Sequence, residues 1–248
     1  MTLERGFTRG QQLFRRHVEE RVQPTEFELV GRRWTLLPGV FAPTYTPVTV
    51  LFTTWIPYPV NGTLLEIGSG AGVTAVSAAL AGCRGVTALD ISAAAVENTR
   101  RNVEQHGVAD RVNVRHSDLF DALSADDRFD LIYWNSNFVE APADFVNASD
   151  LHHAFFDPGY ETHRRYLLEA PLHLSEQGRL LLGFSDLGSW EQLSTACGAA
   201  GLTAEILRAK RCQLETSIEF QLVELRPADG GPWTPTRLHR TEVDDELR

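Results

Sequence analysis

From residue 63 onward, short apolar runs typical of β-strands alternate with longer stretches that have helical periodicity. The strand-like runs are Thr63–Ile67, Gly85–Ile91, Val112–His116, Phe129–Asn135 and Gly178–Ser185. The helical stretches between them are Val73–Ala81, Ser92–His106, Tyr160–Leu174 and Ser189–Ala200. This alternation is typical of a doubly wound α/β sheet.

The last two strand-like runs, Ala204–Gln213 and Ser217–Leu225, are separated by only three residues. A parallel crossover needs about a dozen residues or more, so this pair must be antiparallel. The pattern therefore predicts a mostly parallel sheet that closes with one antiparallel strand.

The first 60 residues follow a different pattern. Apolar positions of an amphipathic helix come first, at Leu3, Phe7, Phe14, Val18 and Val22. A hairpin is predicted over Phe27–Leu37, and the prolines between residues 38 and 59 exclude a long regular helix. We expect an N-terminal cap of helix, hairpin and proline-rich loop over residues 1–60, a core domain over 61–226 and a polar tail over 227–248.

Composition narrows the possible partners and the compartment. The 248 residues carry a net charge of −10, which disfavours nucleic acid as a partner. No apolar run is long enough for a membrane span. The three cysteines are widely spaced and odd in number, which indicates reduced thiols in a cytoplasmic protein. The oligomeric state is not indicated.

The first strand of the core ends in a glycine-rich loop, Gly68-Ser69-Gly70-Ala71-Gly72. Glycines allow a tight turn and let a ligand approach the backbone, and the helix that follows points its N–H groups toward the same place. The strand–loop–helix context predicts a nucleotide-like ligand here.

Two carboxylates help to identify that ligand. Asp90 ends the second strand, 24 residues after Glu66, and suits the two ribose hydroxyls of either a dinucleotide or a methyl donor. The third glycine comes one residue too early for a dinucleotide fingerprint. Glu66 would repel a pyrophosphate but suits an amino group and a sulfonium. We therefore favour S-adenosylmethionine over NAD.

These residues, with Leu89-Asp90 and Ser117-Asp118 after the next strands, resemble a class I S-adenosylmethionine-dependent methyltransferase. The resemblance covers about residues 63–225 and implies a Rossmann-like seven-stranded sheet of order 3-2-1-4-5-7-6, with strand 7 antiparallel. It also implies that Asp90 binds ribose and Asp118 accepts the adenine amino group. The implied cofactor set is Glu66, Gly68, Ser69, Gly70, Gly72, Asp90, Ile91, Ser117, Asp118, Leu119 and Asn135.

Thr46 completes the predicted cofactor set. The proline-punctuated loop that contains Thr44, Tyr45 and Thr46 leads directly to the glycine-loop strand. We therefore expect this loop to lie over the cofactor or the methyl acceptor.

The fourth strand leads into Asn135-Ser136-Asn137-Phe138, which is similar to the N-P-P-Y/F motif of amino-methylating enzymes. The nearest resemblance is to the HemK/PrmC-like small-domain methyltransferases, in which this motif orients the acceptor nitrogen. The resemblance implies catalytic roles for Asn135 and Phe138. Ser136 and Asn137 replace both prolines, so we expect a freer loop here.

Two further segments resemble the same group. Leu37-Pro38-Gly39-Val40-Phe41-Ala42-Pro43 is similar to a segment that precedes the core in those enzymes, and the stretch from Asp157 to Pro171 is similar to a helix before their fifth strand. The resemblance implies an N-methyltransferase, whose substrate is a glutamine in a protein for the release-factor enzymes.

An acidic insert follows the fourth strand. Six acids and no Lys or Arg lie between Asp130 and His163, together with His152 and His153. We expect the insert to form part of the acceptor wall, with one of these two histidines as a general base. Adjacent histidines on an extended chain point to opposite faces, so at most one would face the site. The residue spacing suggests no metal site and no Ser-His-Asp constellation.

Three functional hypotheses remain from the sequence. The leading one is N-methylation of a small amine- or amide-bearing molecule. The first alternative is N-methylation of a protein glutamine, as in the release-factor enzymes. The second is a non-catalytic scaffold that binds S-adenosylmethionine.

Overall fold

A computed structural model of the chain describes residues 3–19, 25–214, 217–231 and 233. The helices are α1 (Leu3–Glu19), α2 (Val48–Trp55), α3 (Val73–Leu80), α4 (Ala93–Gln105), α5 (Asp150–His153), α6 (Glu161–Glu169) and α7 (Trp190–Ala199), with a 3₁₀ turn at Ala170–His173. The strands are β1 (Glu26–Leu29), β2 (Arg32–Thr35), β3 (Thr63–Ile67), β4 (Gly85–Asp90), β5 (Val112–His116), β6 (Phe129–Asn135), β7 (Val139–Ala141), β8 (Phe156–Pro158), β9 (Leu174–Ser185), β10 (Leu202–Gln213) and β11 (Ser217–Pro227).

The main sheet has seven strands in the order β10-β11-β9-β6-β3-β4-β5. Strands β5, β4, β3, β6 and β9 run parallel to one another, whereas β11 is antiparallel to both of its neighbours, β9 and β10. Numbered by their order along the chain, the sheet strands read 3-2-1-4-5-7-6. This confirms the predicted topology and its single antiparallel strand.

Apolar layers cover both faces of this sheet. One joins α3 and the proline-rich segment to the sheet, and the other lies mainly under α6 and α7. Leu64 and Leu65, neighbours on β3, point to opposite faces and are both fully buried. Strands covered on both faces need such continuous apolar runs, which explains the sequence pattern.

The N-terminal segment packs into the core. Trp34 of β2 and Phe52 of α2 are fully buried, and both belong to the layer that contains α3. Asn102 of α4 accepts a hydrogen bond from the Thr35 N–H at 2.8 Å and donates to the Ala71 carbonyl at 2.8 Å. The boundary at residue 60 remains a prediction.

Some details differ from the sequence-based expectation. Helix α1 ends at Glu19, and the expected continuation through Val22 lies outside the described residues. The proline-rich segment contains α2, which follows Pro47 and ends before Pro57. The acidic insert contains the parallel pair β7–β8, which the sequence did not predict. Most of the predicted tail after residue 231 is outside the described residues.

Among the described residues, none of the helices has the length and apolarity needed to cross a bilayer. Nor do three or more His, Cys, Asp or Glu side chains group there in a way that could hold a metal ion.

Candidate functional site

A cavity of about 370 Å³ lies at the carboxyl ends of β3, β4 and β6. The chain crosses from one side of β3 to the other at this point, and ligands of open α/β sheets bind in such a crevice. The cavity is lined by the glycine loop, the ends of β4 and β6, the segment before α2, and parts of α1 and α5. It therefore gathers residues that are far apart in the sequence.

The glycine loop forms the floor of the cavity. Gly68, Gly70 and Gly72 have φ angles of +68°, +55° and +77°, values that favour glycine. A Cβ placed on Gly70 would meet no atom within 4 Å, whereas one on Gly72 would lie 2.9 Å from the Thr99 side chain. Gly70 thus leaves space for a ligand, and Gly72 allows α4 to approach closely.

Glu66 lies at the cavity and is 3% exposed. Burial raises the pKa of Glu66 from 4.5 to about 8, although the Thr74 hydroxyl and the Ala75 N–H donate hydrogen bonds that oppose the shift. Its Oε2 has no hydrogen-bond partner among the described residues. A buried oxygen without a donor favours a ligand that brings positive charge or N–H groups.

Asp90 is placed by the end of β4. One carboxylate oxygen accepts the Gly70 N–H at 2.8 Å and the other accepts the Ser92 N–H at 2.9 Å. Burial raises the pKa of Asp90, while these two hydrogen bonds oppose the shift. Each oxygen keeps a lone pair, so the carboxylate can also accept from neighbouring hydroxyls.

Ser117, Asp118, Leu119 and Ile91 all line the far end of the cavity, where the adenine is expected. The Asp118 carboxylate is also bound by Arg165 of α6, with 3.0 Å between Nη1 and Oδ2. The sequence analysis missed Arg165. Asp118 therefore keeps one oxygen for an amino group while Arg165 neutralises its charge.

The loop before α2 lies at the cavity, as the position of Thr46 in its lining indicates. The Thr46 hydroxyl is buried without a hydrogen-bond partner among the described residues. Thr44 is exposed, and the Tyr45 ring lies against His17 of α1, with 4.7 Å between ring centres. Of these three residues, Thr46 is thus the one in contact with the cavity.

This lining fits the expected methyl donor. Arg165 is the one Lys or Arg among the described residues of the cavity, and it is engaged by Asp118, so a pyrophosphate would have no cationic partner. Glu66 and Asp90 instead suit an amino group, a sulfonium and two ribose hydroxyls.

Asn135 ends β6 and is partly buried in the cavity wall. Its side-chain amide makes no hydrogen bond to any described residue. Phe138 also lines the cavity, and its ring packs against Phe184 and Phe220 at 6.4 and 6.5 Å between ring centres. An uncommitted amide and a fixed aromatic ring thus lie together beside the glycine loop.

The loop between these two residues is not free, which corrects the sequence-based expectation. Ser136 and Asn137 are 4% and 6% exposed. The Ser136 hydroxyl donates to the Gly183 carbonyl at 2.8 Å, and the Asn137 side chain donates to the Phe156 carbonyl at 2.8 Å. The Tyr160 hydroxyl donates to the Phe138 carbonyl at 2.7 Å. Side-chain hydrogen bonds therefore restrain the loop where the similar motif has prolines.

The structure also assembles a Ser-His-Asp constellation that the sequence analysis rejected. His163 Nε2 lies 3.1 Å from Ser136 Oγ, and His163 Nδ1 lies 2.6 Å from Asp157 Oδ2. Ser136 follows β6, His163 lies in α6 and Asp157 lies in β8. Their spacing in the sequence therefore gave no sign that the three side chains meet.

The acidic insert contributes less to the cavity than expected. Among its six acids, Asp150 lines the cavity, whereas Asp130 binds the Thr63 N–H at 2.8 Å at the other end of β6. The insert also forms the helical turn α5 rather than an extended chain. His153 lines the cavity, while His152 packs against Phe14 with 4.2 Å between ring centres. His152 is thus placed away from the site.

Solved structures share the fold at low sequence identity. The ribosomal protein L11 methylase from Lactobacillus delbrueckii subsp. bulgaricus is 20% identical, with a TM-score of 0.54 over 82% of this chain and 90% of that one. A solved methyltransferase structure complexed with SAH is 14% identical, with a TM-score of 0.56 over 82% of this chain and 57% of that one.

Curated relatives are similar over shorter stretches. The release factor glutamine methyltransferase of Neisseria gonorrhoeae is 31% identical over 62% of this chain and 59% of its own length. The ribosomal protein uL3 glutamine methyltransferase of Bordetella pertussis is 35% identical over 48% of this chain and 42% of its own. The ribosomal protein L11 methyltransferase of Bacillus pumilus is 35% identical over 27% and 21%. The chain thus spans between about a fifth and three fifths of the length of these relatives.

A family model covers more of the chain than these relatives do. Residues 33–205 match the family described as the methyltransferase small domain. The match includes the glycine loop, Asp90, Asp118 and the loop from Asn135 to Phe138. Because it extends over more than half of the chain, the protein belongs to the methyltransferase small domain family, whose methyl donor is S-adenosylmethionine.

Proposed function

We propose that the protein methylates a nitrogen atom. The observation that carries this proposal is the uncommitted side-chain amide of Asn135 at the carboxyl end of β6, beside the glycine loop. Its oxygen can accept one N–H of an acceptor, and the Ser136 carbonyl can accept a second. Two such acceptors orient the nitrogen lone pair, which methyl transfer requires.

Phe138 supports the same chemistry. Its ring packs against Phe184 and Phe220 and lines the cavity. An aromatic face stabilises positive charge that develops on a nearby nitrogen. A planar amide or an amine on that ring would therefore meet both an orienting amide and a favourable face.

For the acceptor, we favour a small amine- or amide-bearing molecule. Gly10 and Leu13 of α1 line one side of the cavity, and Leu151 and Phe155 line another. A Cβ on Gly10 would lie 2.8 Å from Val139 and 2.9 Å from Phe156, so α1 is packed closely against β7 and β8. The helix thus narrows the space available to a protein loop.

The cysteines Cys83, Cys197 and Cys212 are free, which supports a cytoplasmic location.

A protein glutamine is the second candidate. Two of the similar curated proteins are named as glutamine methyltransferases, of release factors and of ribosomal protein uL3. Asn135 and Phe138 also match the first and last residues of the N-P-P-Y/F motif. A single glutamine side chain needs far less space than a whole loop and could reach Asn135 from the cavity mouth.

The test is incubation with labelled S-adenosylmethionine and two acceptor panels. One panel holds small amines and primary amides, and the other holds Gly-Gly-Gln and ribosomal protein peptides. Mass spectrometry and NMR then identify the methylated atom. We expect an N-methyl product from the first panel, and transfer to the peptides alone would support the second candidate.

The Asn135→Ala variant distinguishes the two proposed methyl-transfer functions from a scaffold that binds the donor without catalysis. We expect it to abolish most of the transfer while S-adenosylhomocysteine still binds. Methylation at oxygen or carbon would contradict the nitrogen proposal. Binding of the methyl donor without transfer to any member of either panel would instead support the scaffold hypothesis.

A further inference from the structure

Three buried side chains connect the acceptor loop to the start of α6. Asp157, His163 and Ser136 are 0%, 1% and 4% exposed. Asp157 accepts the N–H groups of Thr162 and His163, each at 2.9 Å, and so caps the first turn of α6. The same carboxylate lies 2.6 Å from His163 Nδ1, and His163 Nε2 lies 3.1 Å from Ser136 Oγ. The chain of contacts ends where Ser136 Oγ donates to the Gly183 carbonyl at 2.8 Å.

The hydrogen bonds of this chain hold the Ser136 residue in place. His163 Nδ1 donates to the Asp157 carboxylate, which orients the ring and turns Nε2 toward Ser136 Oγ. On its other side, Ser136 is joined to the Gly183 carbonyl by its hydroxyl at 2.8 Å and by its N–H at 3.3 Å. Ser136 is thus held between His163 of α6 and Gly183 of β9.

The surroundings of Asp157 favour its ionised form. Burial would raise the pKa of Asp157, but hydrogen bonding and charge from His163, with the N–H groups of Thr162 and His163, outweigh it and lower that pKa. The other ionisable groups near His163 are Glu140 of β7 and Arg164 of α6, together with Tyr160, whose ring centre is 4.5 Å away. The Trp134 ring covers the imidazole at 4.8 Å.

We propose that His163, oriented by Asp157, is a positioning residue for methyl transfer, acting through Ser136 on the loop that orients the acceptor. This inference rests on the proposed nitrogen methylation. Ser136 lies between Asn135 and Asn137, so a fixed Ser136 fixes both the Asn135 side chain and the Ser136 carbonyl. Without the imidazole, the Gly183 carbonyl is the one remaining partner of the Ser136 hydroxyl among the described residues, and the loop loosens.

One measurement tests this without any acceptor. Hydrogen exchange of the amides in residues 135–138, with S-adenosylhomocysteine bound, should accelerate at least about tenfold in His163→Asn. His173→Asn is the matched control, because His173 is also buried but contacts Phe120 and the Asp127 carbonyl, away from the loop.

Kinetics test the positioning role itself. Ser136→Ala leaves the His163–Asp157 pair intact and removes the hydroxyl that links it to the loop, so it remains informative if His163→Asn fails to fold. With the best acceptor from the two panels, kcat should fall about 100-fold in Ser136→Ala, the scale expected for a misplaced reacting atom. The affinity for S-adenosylhomocysteine should stay within about twofold, since the orienting loop acts on alignment rather than donor binding.

Loop exchange rates that are unchanged in a folded His163→Asn variant would overturn the proposal. So would a Ser136→Ala variant that loses thermal stability but keeps its kcat and its loop exchange rates. Failure of the proposed nitrogen methylation would be seen differently. The chemical structure of the product would show a methyl group on oxygen or carbon, independently of the results for the His163 and Ser136 variants.

Discussion

Glu66 should make the affinity for the methyl donor depend on pH. In the free protein its carboxyl is buried, lacks a partner at Oε2 and has a pKa raised to about 8 by that burial. The ligand brings an ammonium and a sulfonium to this side of the cavity. Because opposite charge favours the ionised carboxylate, binding should lower the Glu66 pKa and release a proton.

The magnitude follows from linkage. With a free pKa of about 8, roughly 0.9 of a proton is bound at pH 7, and nearly all of it must leave when the charged ligand binds. Affinity should then fall about tenfold for each unit of pH below 8 and level off above it. Between pH 8 and pH 6 this corresponds to a factor of about 50, or roughly 2.3 kcal/mol of binding free energy.

Calorimetry measures both quantities. Titrations of S-adenosylmethionine in buffers of different ionisation enthalpy give the number of protons released at pH 7, and a pH series gives the slope. Glu66→Gln is the control, because it keeps the shape of the side chain but cannot titrate. The ligand's own α-amino group titrates as well, and its contribution remains in the Glu66→Gln data for subtraction.

Burial of Glu66 should also make the stability of the ligand-free protein depend on pH. The folded-state pKa lies above the ordinary value of 4.5, so the folded protein holds a proton that the unfolded chain has already lost. Stability should therefore fall as pH rises from about 4.5 to 8, by at most about 5 kcal/mol, and Glu66→Gln should lack this loss. If affinity and proton release are independent of pH in the wild type, or are unchanged in Glu66→Gln, the assignment of Glu66 is wrong.

Three further substitutions test the site and its support. Asp90→Ala should weaken S-adenosylhomocysteine by about 1.5–3 kcal/mol through loss of charge-assisted hydrogen bonds; unchanged affinity by calorimetry would remove Asp90 from the ribose role. Asn135→Ala should reduce kcat strongly and leave donor affinity nearly intact, and residual turnover in Asn135→Asp would indicate an amine rather than an amide acceptor. Asn102→Ala should destabilise the fold by about 3 kcal/mol in denaturant unfolding, because it leaves buried groups of Thr35 and Ala71 without partners; near wild-type stability would contradict this.

Much of the fold could be predicted because the sheet strands are buried on both faces. A strand such as β3 must then be a continuous apolar run, and the helices between the strands must cover its faces. The short link between β10 and β11 also leaves no alternative to antiparallel pairing. The fold of the N-terminal segment was less predictable, because α2 fits between Pro47 and Pro57 and takes its stability from the burial of Phe52.

The site was predictable where function depends on local sequence. Gly70, Asp90 and Glu66 are placed by one strand–loop–helix unit and its neighbouring strand, so their spacing carried the information. Arg165 and His163 could not be assigned in this way. Both reach the site from α6, and their partners Asp118 and Ser136 follow other strands, so the pairs exist only after tertiary packing.

The loop from Asn135 to Phe138 explains how the chain can lack the prolines of the similar motif. Prolines restrict a loop covalently and at any pH, because φ is fixed by the ring. Here Ser136, Asn137 and the Phe138 carbonyl are held instead by His163, Phe156 and Tyr160. Hydrogen bonds of this kind are directional and buried, so they can hold the loop as firmly while all partners are present. The difference is that these restraints come from residues elsewhere in the chain, so a substitution at His163 should loosen the acceptor loop, whereas a proline restrains its own backbone.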